Sequence, residues 1–407
     1  MKMNDNFYII VKYIFAVYPI VIAVVGLFTY IISIFYSFFI LQNPQKVKNS
    51  KSYMQLVDTD RGVSILKPLL GIDKYQRDNL ESHFKLNYDK LQLILCIQDH
   101  NDPIIPVVNE LKEKYSKVDC EVVFDDGSDI VNPMVSNMSN GYNKIKYDYI
   151  WISTSRIQAT DEILYDFIAK AEDPDVALIH QLPYICDGKT FANIIDKISF
   201  GGYFARNYIT LNVLGACCIT GMSYLVKKKI LDDVGGLPYF GKYLAEDFFL
   251  SVAIHKKGYR FRLSAFPAQQ RAPSTIKSYV TRMTRWMRLR LSMLLLVVLF
   301  LEFISECLPL AIYLMWAANY VFNIPYQWIF FGYLLYCFIM DFILIVCIQG
   351  GLLPVPIYKY FFAWCVREIM VFFIFFNAIR NPQVIQWGKR KYKVSLGGQT
   401  SIVKEEM

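Results

Sequence analysis

Leu91-Gln92-Leu93-Ile94-Leu95-Cys96-Ile97 is followed at once by Gln98-Asp99-His100-Asn101-Asp102. An apolar run that short and that continuous reads as a strand buried on both faces, the pattern of a parallel sheet. Working outward, 63–66 reads as a strand closed by Lys67-Pro68, and 122–124, 149–152 and 176–179 repeat the pattern. Helical patterns fill the gaps at 77–84, 103–115 and 161–171, with Pro103 placed for a first helical position and Asp102 as its cap. Strands alternating with helices predict an α/β fold with a mostly parallel, Rossmann-like sheet. Such sheets bind ligands beyond the carboxyl ends of their strands. The polar clusters Gln98-Asp99, Ser153-Thr154-Ser155-Arg156 and His180-Gln181 fall there, although each alone reads equally well as an ordinary turn.

The composition places this domain at a membrane. Of 407 residues, 55% are hydrophobic and only 19% charged, against about 25% charged for an average soluble domain. No charge occurs from 13 to 41, a stretch longer than a bilayer needs, with no small-residue cleavage site after it, so an anchor is expected. A second apolar zone follows Arg290 and is uncharged over 307–340, 342–358 and 369–379. The expected division is an anchor at 1–41, a catalytic domain at 42–282, membrane and interfacial helices at 283–380 and a basic tail at 381–407. Lys46, Lys48 and Lys51 follow the anchor, against Lys2 and Lys12 before it. Arg271, Lys277, Arg282, Arg285, Arg288 and Arg290 precede the second zone, which puts the domain in the cytosol by the positive-inside rule. Three full C-terminal spans would leave the tail on the opposite side, against the same rule. At least one of them is therefore expected to be a hairpin or to lie in the interface.

The net charge of +8 fits solvated juxtamembrane Lys and Arg, and no nucleic-acid reader motif appears. Nine unpatterned cysteines predict buried thiols rather than disulfides or a metal site. The sequon Asn137-Met138-Ser139 is expected to stay unused in a cytosolic domain. Phe191, Ile194, Ile195 and Ile198 share one helix face, readable as a core helix or as one facing the bilayer.

Five motifs in unbroken order carry a family resemblance: Lys67-Pro68-Leu69, Gln98-Asp99-His100, Thr220-Gly221-Met222-Ser223, Tyr243-Leu244-Ala245-Glu246-Asp247-Phe248-Phe249 and Arg282-Met283-Thr284-Arg285-Trp286. Together they resemble the ceramide glucosyltransferases, membrane-bound enzymes with a GT-A type nucleotide-sugar domain. The tail 387–392 extends the likeness weakly. The resemblance implies transfer of glucose from UDP-glucose to ceramide, forming β-linked glucosylceramide in glycosphingolipid biosynthesis. The setting it implies is a multi-pass protein of the Golgi or endoplasmic reticulum membrane. It further implies that Asp99 lies at the nucleotide end of the donor site and that Asp247 is the general base. Arg282, Arg285 and Trp286 match the family's Gln/Arg-x-x-Arg-Trp motif. Arg282 and Arg285 are three apart and share a helix face, where guanidiniums suit a diphosphate. Without the family context they would read as juxtamembrane lipid contacts. His180 and Cys218 match positions used on the donor side, though a lone His or Cys is more often structural.

Three positions depart from the family. Its second aspartate, expected to hold a divalent cation (Mg or Mn) on the UDP phosphates, is here Thr154, and Arg156 stands at the following glycine position. The lysine expected after Asn132-Pro133 is Met134. Two readings stay open: a drifted copy that binds a lipid or an active partner, or a metal-independent enzyme in which Arg156 supplies the charge. Asp125-Asp126-Gly127-Ser128-Asp129 imitates a donor motif, but it follows the third strand rather than the second and is expected to be a turn.

Overall fold

The computed structural model describes residues 5–42, 60–125, 127–186, 188–216, 218–388 and 390–403. Lys2, Lys46, Lys48, Lys51, Asp126, Cys217 and Lys389, each used in the sequence reading, lie outside the described residues. The strands are β1 (Val63–Leu69), β2 (Leu91–Ile97), β3 (Asp119–Phe124), β4 (Tyr149–Ser153), β5 (Ile157–Gln158), β6 (Val176–His180), β7 (Pro183–Ile185), β8 (Ser223–Lys227), β9 (Arg260–Leu263) and β10 (Ala268–Gln270). A tail sheet adds β11 (Val384–Trp387), β12 (Arg390–Val394) and β13 (Thr400–Ile402). The helices that matter here are α1 (Asp5–Phe39), α2 (Gln76–Phe84), α3 (Ile105–Lys114), α4 (Pro133–Tyr142), α5 (Asp161–Ala171), α6 (Phe191–Ser199) and α7 (Ala205–Val213). They continue with α8 (Glu246–His255), α9 (Ile276–Met293), α10 (Cys307–Phe322), α11 (Tyr326–Gln349) and α12 (Ile357–Arg380).

The central sheet has the order β3-β2-β1-β4-β8-β6-β9. Its pairs are parallel except around β8, which runs antiparallel to both β4 and β6. The expected α/β architecture is therefore present. Alternation across the sheet explains the uninterrupted apolar strands: Leu93, Leu95 and Ile97 enter one core with Trp151 and Phe167, while Ile94 and Cys96 enter the opposite one with Tyr224 and Phe240. Both faces are buried, so every residue of β2 is.

Local differences from the sequence reading have physical causes. Strand β1 continues through Lys67-Pro68 to Leu69. Its pairing with β4 ends at Leu66↔Ile152, so Pro68 lies where only β2 remains alongside and the missing N–H breaks no bond to β4. Helix α3 starts two residues later than expected, with Pro106 rather than Pro103 in its first turn. Asp102 is committed elsewhere, its carboxylate accepting from the Gly71 N–H at 2.8 Å and the Ile104 N–H at 2.9 Å. Asn137 is buried and donates to the Leu69 carbonyl, which withdraws the sequon from any modifying enzyme. The cysteines are free among the described residues.

Three helices are long and apolar enough to cross a membrane, at Phe7–Phe39, Tyr326–Gln349 and Ile357–Arg380. The pair Leu295–Glu302 and Cys307–Phe322, bent by 62°, adds a fourth if it counts as one span. The C-terminal end of α1 reaches the soluble domain, where the Gln42 N–H donates to the Ala265 carbonyl at 2.6 Å. Its N-terminal part meets the far end of α10, with Tyr13 and Tyr320 rings 5.4 Å apart. Helix α11 runs back, and its Gln349 accepts from Tyr184 Oη at 2.7 Å and Lys197 Nζ at 3.0 Å. Helix α12 instead lies along α6 and α9. Beyond it, Arg288 donates to the Asn377 and Val384 carbonyls at 2.9 and 2.8 Å. Ile194, Ile195 and Ile198 of α6 are therefore covered by protein, as in a core helix, while Phe191 at its start stays exposed. The tail sheet docks on α9 and on Leu244 and Ala245.

Candidate active site

One cavity of about 1420 Å³ lies beyond the strand ends. It is lined by Gln98, Met134, Thr154, Arg156, Cys218 and Gly221 near the sheet and by Asp247, Arg282, Arg285 and Trp286. Its lining also takes in Tyr203, Arg206 and Ser305, and Tyr18, Val21, Val25 and Thr29 of α1.

Asp247 opens the first turn of α8. Its Oδ2 accepts from the Gly221 N–H at 2.6 Å and its Oδ1 from the Phe248 N–H at 2.8 Å. The glycine is required by this approach: a Cβ at 221 would stand 3.0 Å from Glu246 Oε1 and 3.3 Å from Asp247 Oδ2. Glu246, only 4% exposed, accepts from Asn132 Nδ2 at 2.6 Å. Burial, followed by the neighbouring Asp247 charge, pushes its carboxyl up to about 8. Asp247 is also raised by burial, opposed by its backbone N–H donors. Glu246 thus keeps its proton at neutral pH, while the two backbone N–H donors favour the charged form of Asp247.

Arg282 and Arg285 both reach the cavity from one face of α9. Arg282 pairs with the buried Asp196. Arg285 lies 4.6 Å over the Trp387 ring of the tail sheet. Trp286 meets Phe200 edge-on at 5.8 Å. Arg156 joins them from the β4 loop. The Thr154 backbone is held by the Met222 carbonyl at 3.0 Å and by the buried Lys67 Nζ at 3.0 Å.

Not every expected residue converges. Asp99 caps its own turn by accepting from the Asn101 N–H at 2.9 Å, and Gln98 takes the position on the cavity wall. His180 lies fully buried between Tyr208 Oη and Asn212 Oδ1, which ties β6 to α7. Burial holds its imidazole down at about 3, so it stays neutral. Glu246, Asn132 and Trp387 were missed. The first has a sequence signal, adjacency to Asp247; for Asn132 and Trp387 the site role depends on contacts made far along the chain.

Glycosyl transferase family 21 matches residues 20–400. The chain belongs to this family. Within it, ceramide glucosyltransferase 1 of Caenorhabditis elegans is 33% identical over 342 residues, covering 83% of this chain and 72% of that one. Ceramide glucosyltransferase 3 of the same organism is 32% identical, covering 83% and 74%. The ceramide glucosyltransferase of Komagataella phaffii is 25% identical over 76% of this chain and 72% of its own. The family named by the five motifs is thus the one found, and this family 21 chain is a membrane glycosyltransferase. Among solved structures, a mannosyltransferase from Pyrobaculum calidifontis in complex with GDP-Man and Mn2+ aligns over 90% of this chain and 98% of its own, at 12% identity and a TM-score of 0.49.

The residues present do not form a cation site of the kind the family implies. Thr154 offers a neutral hydroxyl where a carboxylate is expected, beside the guanidinium of Arg156. Among the described residues, no three His, Cys, Asp or Glu side chains gather to hold a metal.

Proposed function

We propose that this chain transfers glucose from UDP-glucose to ceramide, with inversion, forming β-glucosylceramide. The observation that carries the reading is that one cavity is lined by Arg156, Arg282, Arg285 and Asp247 together with residues of α1, a helix of membrane character. The arginines hold the diphosphate through bidentate bonds. The lipid lies in the part lined by α1 with its primary hydroxyl toward Asp247. Asp247 accepts the hydroxyl proton as the oxygen attacks the anomeric carbon. The bond from that carbon to the diphosphate oxygen breaks, and UDP leaves with the electron pair. Attack opposite the leaving group turns an α-linked donor into a β-glycoside.

The domain is read as cytosolic, with α1, the bent pair and α11 crossing the bilayer and α12 lying in the interface. Supporting this, α12 keeps Phe361, Phe362, Phe373 and Phe376 exposed on one side while its other side packs on the domain. The compartment is read as Golgi or endoplasmic reticulum. The boundaries 1–41, 42–282, 283–380 and 381–407 remain our division of the chain. The test is incubation of the purified full chain with UDP-glucose and a short-chain ceramide, with mass and anomeric configuration of the lipid product as readout. A β-glucosylceramide supports the reading; an unglycosylated lipid, or an α-linked product, overturns it.

A further inference from the structure

We propose that the site binds its nucleotide diphosphate without a divalent cation, the positive charge coming from Arg156, Arg282 and Arg285. The inference rests on the nucleotide-sugar reading above and adds how the donor's charge is met.

The oxygen ligands a hard cation needs are committed or neutral. Both Asp247 oxygens accept backbone N–H groups. Glu246 is held by Asn132 and pushed up to about 8 by burial. Asp196 is paired with Arg282, and Asp99 caps its own turn off the cavity wall. Thr154 contributes one uncharged hydroxyl, whereas magnesium and manganese prefer carboxylate and phosphate oxygens.

Charge is present in another form. Arg156 is two residues from Thr154 on the same loop and lines the same cavity as Arg282 and Arg285 of α9, near enough for their charges to interact. Burial first and then Arg282 lower Arg156, opposed by Asp196 and Asp73, while burial followed by Arg156 and Arg282 lowers Arg285 to about 10. A cation placed beside Arg156 would meet the same repulsion. A diphosphate relieves it, because each guanidinium can grip phosphate oxygens with two parallel bonds. Stabilising the departing diphosphate requires preorganised charge, and fixed guanidiniums supply it as a metal would.

The test is calorimetric titration of UDP into the full-length protein in detergent, with chelator or with added manganese, beside variants checked for unchanged melting. Wild-type affinity is expected to change less than about twofold between the two conditions, since phosphate contacts come from guanidiniums. Arg156→Gln should weaken UDP binding about tenfold or more, and Arg156→Lys should recover part of it. Thr154→Asp with Arg156→Gly should bind UDP only when manganese is present. Chelator-sensitive binding by the wild type overturns the proposal while leaving the donor reading standing. So does an Arg156→Gln variant that melts normally and binds like wild type. No binding of any nucleoside diphosphate in either condition overturns both.

Discussion

Two adjacent carboxylates stand at the start of α8. Burial keeps the proton on Glu246, while the Gly221 and Phe248 N–H groups favour the charged form of Asp247 at the cavity wall. Glu246→Gln should therefore retain transfer within about threefold, since the amide replaces a group already neutral. The same pair gives a pH dependence. A carboxyl whose folded pKa lies above its unfolded value binds its proton more tightly when folded. Its contribution to stability is fully present below the unfolded glutamate range and is lost as pH rises through about 8. Melting temperature should fall as pH rises from about 5 to about 8 and level off above it, and Glu246→Gln should flatten that slope. Asp247 was legible because Glu246-Asp247 sits inside an ordered set of motifs. The protonation of Glu246 was not legible, because it depends first on a burial that no local pattern reveals and that outweighs the Asn132 hydrogen bond favouring the charged form.

At the scale of elements, the parallel strands were legible because both-face burial leaves uninterrupted apolar runs, as in β2. The antiparallel β8 was not read, since Ser223–Lys227 is short and begins and ends with polar residues, its place being set by β4 and β6. The tail sheet was equally hidden, as only docking on α9 brings Trp387 over Arg285. The lipid arm depends on α1 in a testable way. Gly26 lines the cavity, and a Cβ there would meet no atom within 4 Å. Gly26→Leu should accordingly fold and bind UDP normally, yet raise KM for the lipid about tenfold by filling the arm. An unchanged KM would place the lipid elsewhere.

At the scale of the molecule, the tail sheet docks on α9 and on Leu244 and Ala245, and the C-terminal end of α12 is tied to α9 through Arg288. The segment we read as interfacial is α12, whose length and apolar character are those of a span. Protease treatment of sealed vesicles whose outer surface is the cytosolic face should cut the domain and leave α1, α10 and α11 protected; a protected domain would reverse the orientation. The most direct test of the whole account is a single-turnover measurement with UDP-[14C]glucose and ceramide, run on the wild type and on Asp247→Asn with UDP affinity determined in parallel. The expected result is label in the lipid with the wild type and a loss of about a hundredfold or more in the variant, with UDP binding nearly unchanged. Label transfer by the variant at the wild-type rate, or none by a wild-type protein that binds UDP, would contradict it.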